Sequence, residues 1–113
     1  MNALETAVRV IVDLLVREEF GAVEAVTRGQ RLSAAELAQA VSYYGLTLAK
    51  PKDNWWSSVV VTALSGTRSA FHVAAPLWTV EEGRSDLTLE LQLEESDSVP
   101  GVFDVQVLDL HVL

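Results

Sequence analysis

The chain has no cysteine, three prolines, two histidines and only eight Lys and Arg residues. Without cysteine there are no disulfides, thiolate zinc sites or cysteine nucleophiles, a composition at ease in a reducing cytoplasm. The eight basic residues face sixteen acidic ones, for a net charge of −8, and form no cluster. Nucleic acid and anionic membrane are therefore electrostatically disfavoured, and a basic protein is the better-matched partner. No apolar run is long enough to span a bilayer, and Met1-Asn2-Ala3-Leu4-Glu5 lacks the basic region of a signal peptide. The expectation is a cytoplasmic protein. G-x-S-x-G, Ser-x-x-Lys, H-E-x-x-H and phosphate-binding glycine loops are also missing, and the six glycines are scattered singly.

What is present is a globular composition, 50% hydrophobic and 21% charged, in 113 residues that suit one domain. From Ala3 to about Arg28 apolar residues recur at helical spacing (Leu4, Val8, Ile11, Val12, Leu15, then Val23 and Val26), with a break expected near Phe20-Gly21. Ser33-Ala34-Ala35-Glu36 reads as a capping box opening a second helix that Gly45 ends. Beyond the polar connection Lys50-Pro51-Lys52-Asp53-Asn54 the period becomes two. Strands are expected over Trp56 to Leu64, Ala70 to Val80, Leu87 to Glu94 and Val102 to Val112.

Pairing Leu64 with Ala70, Val80 with Asp86 and Glu94 with Val102 puts Val59, Val61, Ala63, Phe71, Val73, Ala75, Leu77, the four leucines of Leu87 to Leu93, Phe103, Val105 and Val107 on one face. After Val107 the apolar parity flips, which a β-bulge near Val107-Leu108 would restore. The expected fold is α+β: residues 1–45 helical, packed on one face of a four-stranded antiparallel meander formed by residues 55–113.

That register makes two predictions about sites. Trp55, Trp56, Arg84, Asp86, Asp109 and His111 gather at one end of the sheet, with Asp86 facing His111 and His72 far away opposite Glu94. The segment from Glu81 to Asp86 then reads either as an acid/base pair with Arg84 holding an anion, or as a hairpin loop in which Gly83 takes positive φ and Arg84 pairs with Glu81 or Glu82. The loop reading is preferred, because nothing specifies a reaction. Asp109-x-His111 matches no specific zinc motif, so neither metal nor cofactor is expected, and both histidines are expected in surface hydrogen bonds with carboxylates, His111 as a pH-responsive contact. On the outer face, apolar Val60, Leu64 and Trp78 lie beside acidic Glu90, Glu94 and Asp104, a two-toned surface suited to a protein interface; Leu46-Thr47-Leu48 or a terminal segment covering it is the alternative.

Pro76-Leu77-Trp78-Thr79, Glu81-Glu82-Gly83-Arg84-Ser85-Asp86-Leu87-Thr88-Leu89 and the ending Asp109-Leu110-His111-Val112-Leu113 resemble a small bacterial domain family of unknown function. The Ser33–Leu37 and Tyr44-Gly45 portions fit the same family. More distantly, helices followed by long antiparallel strands are similar to the cystatin-like cone fold of the nuclear transport factor 2-like superfamily. That resemblance implies a pocket between helices and sheet, dimerisation through the outer face, and ligand binding or isomerase-type chemistry. The leading expectation is a non-enzymatic interaction or accessory module, homodimeric, whose acidic surface engages a protein partner, an immunity or antitoxin-like role being one form. The alternative is a cone-fold small-molecule-binding protein or isomerase-like enzyme with the Trp55 to His111 cluster at its pocket mouth.

Overall fold

A computed structural model describes residues 2–52, 54–66 and 69–112. Asp53 of the polar connection, Thr67 and Arg68 of the expected turn, and Leu113 of the ending lie outside the described residues. Three helices, α1 (Ala3–Val16), α2 (Phe20–Val26) and α3 (Ala34–Tyr44), precede five strands: β1 (Leu48–Ala49), β2 (Val60–Leu64), β3 (Ala70–Thr79), β4 (Gly83–Glu95) and β5 (Phe103–Val112). All pairings are antiparallel, so the class is α+β.

In α1, Val8, Ile11, Val12 and Leu15 follow the i, i+3, i+4, i+7 rule and are buried. The break expected at Phe20-Gly21 comes earlier. Arg17-Glu18-Glu19 is exposed and charged, so no apolar residue extends the stripe; Glu18 turns left-handed at φ 58° and Gly21 falls inside α2. The α3 start is as expected. Glu36 N–H donates to Ser33 Oγ (3.2 Å), Ser33 N–H donates to Glu36 Oε1 (3.0 Å), and Gly45 closes the helix at φ 81°.

The sheet has a fifth strand because Leu48-Ala49 pairs with Thr79 and Trp78 instead of covering the outer face. β1 and β2 lie on the same edge of β3, opposite its two ends, and leave Ala75 to Leu77 unpaired on that side. Pro76 sits in this gap. A strand residue directs its nitrogen and its carbonyl to the same edge, and the Pro76 carbonyl accepts from Trp55 Nε1 at 2.7 Å, so the missing N–H faces an indole and breaks no ladder. Trp56 to Ser58, expected to begin a strand, lie instead in a 3₁₀ turn over Trp55–Ser58. Strand alternation would send adjacent tryptophans to opposite faces; the turn buries Trp55 and leaves Trp56 packed beside it, ring centroids 5.9 Å apart.

The inner face of the sheet agrees with the pattern. Val73, Ala75, Leu77, Leu87, Leu89, Leu91, Leu93, Val105, Val107 and Leu110 are buried against Leu15, Val23, Leu37 and Val41 of the helices. Each leucine contributes roughly 1.5–3 kcal/mol through burial. The bulge also lies where parity demands it: the β4–β5 register shifts between Glu90↔Asp109 and Leu91↔Val107, making Leu108 the extra residue. Strand β2 departs from expectation. All five of its residues are exposed, Val61 and Ala63 included, because this strand runs past the helical layer.

Candidate functional site

The two hairpins set the site. β3 and β4 pair as Thr79↔Gly83 through a turn of Val80, Glu81 and Glu82, shorter than the expected loop, with Gly83 at φ 74° and the Trp78 ring over it. Along β4–β5, and along β3–β4 from Ala70 to Pro76, the pairing is displaced by two residues from the expected one, and by four at Trp78 and Thr79; even shifts preserve every face but move each side chain along the sheet. His72 now lies opposite Gln92, and His111 opposite Thr88. Their positions differ by four residues of β4, roughly 13 Å.

Glu90 stands midway between them on the outer face. His72 Nε2 donates to Glu90 Oε1 at 2.8 Å, and His111 Nε2 donates to the other oxygen, Oε2. Asp109, directly across from Glu90, holds Oδ2 4.0 Å from His111 Nε2, while its Oδ1 accepts the Leu110 N–H at 2.8 Å. The His111 hydrogen bond, reinforced by His72, lowers the Glu90 carboxyl below its ordinary 4.5 against the opposing effect of burial. The same bond raises His111 above 6.5, with help from the Val112 carbonyl and the Asp109 charge. The expectation that the histidines lie far apart is corrected: three strands bring both onto one carboxylate.

The other expected cluster does not assemble in that form. Trp55 is buried in the core, with the Arg9 guanidinium 5.2 Å from its ring centroid, and Trp56 is half-buried beside it. Arg84 lies across from Trp78; Asp86 falls in the irregular stretch opposite Leu77; both are exposed and form no ion pair among the described residues. Glu81 and Glu82 bind α3 and the loop after it instead of Arg84. Glu81 accepts from Thr47 N–H (2.9 Å) and Thr47 Oγ1 (3.0 Å), and Glu82 accepts from Tyr44 O–H (2.9 Å). The Thr47 amide holds Glu81 below its ordinary value. This turn is a clasp between sheet and helix. Ser85 is likewise structural: buried, it donates to the Leu77 carbonyl (2.9 Å) and accepts from Leu87 N–H (3.2 Å).

On the expected interface, Val60 is 60% exposed and Leu64 39%. Trp78, Glu90 and Glu94 are half-buried, and exposed Asp104 lies 3.8 Å from Arg28. Surface clefts flank the helices, one of about 220 Å³ lying between the end of α2 and Glu94, Asp104 and Gln106. A second, of about 380 Å³, lies between α1, α3 and the loop to β1; another, of about 400 Å³, is lined by Tyr43, Tyr44, Leu87, Leu110 and Val112 with His111 at its rim. No described helix is long and apolar enough to cross a membrane.

The His72–Glu90–His111 link escapes sequence reasoning because it depends on hairpin length. Both histidines have outward parity, but only a two-residue slip in each hairpin makes them converge.

Neither the curated proteins nor the solved structures include a match to this chain. Residues 12–113 match the family described as Domain of unknown function (DUF7668), and the chain belongs to that family.

Proposed function

We propose that this protein is a non-enzymatic interaction module that self-associates as a symmetric dimer through β2. The carrying observation is that β2 is exposed along its whole length, with Val60 60%, Val61 39% and Leu64 39% accessible, and pairs with β3 alone among the described strands. A free edge of unpaired backbone groups and β-branched side chains is a template for another strand unless charge or proline blocks it. Neither does so here: Trp55 to Gly66 contains no charged residue and no proline in a chain of net charge −8. That uncharged stretch is where two acidic copies approach with least repulsion. A two-fold axis near Thr62 would pair β2 with its own copy antiparallel and join Val60 and Leu64 across the contact. Glu90, Glu94 and Asp104 would then flank the joined sheets as an acidic surface for a basic protein.

The interior weighs against the cone-fold pocket reading. The core between helices and sheet is packed with valines, leucines and Trp55, the cleft of about 400 Å³ between α3 and strands β4 and β5 opens at the surface, and no buried side-chain polar atom among the described residues lacks a partner. The test is mass by light scattering for the wild type and for Val60→Lys/Leu64→Lys, with exposed Val99→Lys as control. We expect dimeric wild type and control, and a monomeric double variant. The double change moves net charge from −8 to −6, so lost association cannot come from overall repulsion. A monomeric wild type, or a double variant that stays dimeric, would refute the reading.

A further inference from the structure

The geometry points to a divalent metal site of the zinc class on the outer face of the sheet, with His111, Glu90 and Asp109 as ligands and His72 as the residue that orients Glu90. The sequence spacing carries no zinc motif; the fold assembles the donors. One ligand atom each from Glu90, Asp109 and His111 lies within 4.8 Å of the others. Ligand atoms around a tetrahedral zinc ion at about 2.0–2.2 Å are about 3.4 Å apart, so small rotamer changes suffice to close the set.

Three observations converge. Glu90 and Asp109 are a directly opposed cross-strand pair, and like charges so placed cost stability unless a cation offsets them. The chain has only two histidines, and both donate from neighbouring strands to that same Glu90. The secondary contacts also suit a metal: His72 holds Oε1 and leaves Oε2 to the ion, while the Leu110 amide holds Asp109 Oδ1 and leaves Oδ2. An ion replacing the proton on His111 Nε2 would meet one imidazole nitrogen and two carboxylate oxygens. Further coordination positions would be open to solvent on this half-exposed face. Mixed imidazole and carboxylate donors favour zinc and its transition-metal neighbours over calcium or magnesium, which prefer all-oxygen sites.

Zinc titration of untagged protein tests this, followed both by calorimetry and by the imidazole resonances of the two histidines. Uptake of one ion per chain is expected, with the His111 ring signals shifting at stoichiometric zinc and magnesium having no such effect. His111→Gln should abolish measurable binding, and His72→Gln should weaken it about 10–100-fold, as loss of a ligand-orienting contact does. The NMR arm needs no variant, so a misfolded mutant leaves the test intact. No uptake by the wild type, unshifted His111 signals, or undiminished binding in folded His111→Gln would each overturn the site.

Discussion

Glu90 carries two imidazoles with one carboxylate, and the shifts on either side of its bond to His111 define when that bond stabilises the fold. The charged groups facing His111 are Glu90 on β4 and Asp109 on its own strand, with His72 of β3 beyond Glu90; Tyr43 and Tyr44 of α3 line the cleft that His111 borders. Because His111 is raised in the folded state, its contribution is full below 6.5 and is lost as pH rises through the raised value. Because Glu90 is lowered, its contribution is present above 4.5 and is lost as pH falls through the lowered value. Urea unfolding of wild type and Glu90→Gln, in the presence of a chelator, should therefore show the largest stability difference between 4.5 and 6.5. The difference should narrow on both sides of that window; one that stays constant across pH would show that the pairing adds nothing.

Among the elements, β5 shows what the sequence discloses and what it withholds. Apolar parity flips after Val107, so the need for an extra residue is legible from the alternation itself, and Leu108 supplies it. Deleting Leu108 should leave a folded protein, because Val107, Asp109, Leu110 and His111 then alternate without a bulge. Deleting Gln92 should unfold it or cost several kcal/mol, since the irregular stretch of β4 lies at Ser85 to Leu87, away from Gln92, and buried leucines would turn outward, each losing roughly 1.5–3 kcal/mol. Circular dichroism and urea titration of the two deletions would check this contrast.

The capping box of α3 and the four inward leucines of β4 are equally legible, being local signals of three residues or a period of two. The exact place of the α1–α2 break, the 3₁₀ turn at Trp55–Ser58 and β1 are not: the break follows the charged Arg17-Glu18-Glu19 and not the glycine, and the other two depend on tertiary contacts. Trp55 turns inward to reach the Pro76 carbonyl, and Leu48-Ala49 becomes a strand only because β3 presents Thr79 and Trp78 to it. Register is the costliest gap for the candidate site. A two-residue slip changes no face, so hydrophobic pattern cannot detect it, yet it decides whether the histidines meet on Glu90.

At the scale of the whole molecule, helices and sheet enclose one apolar core, and β2 is the element left outside it. A monomer would keep an uncharged, β-branched edge in water beside an otherwise acidic surface; a two-fold dimer would pair that edge and set the acidic flanks outward. Hydrogen exchange of the Val60–Leu64 amides at low and high protein concentration tests this most directly. The self-association account predicts protection of β2 that increases with concentration while α1 and β4 stay unchanged. Exchange in β2 that is equally fast at every concentration would contradict it.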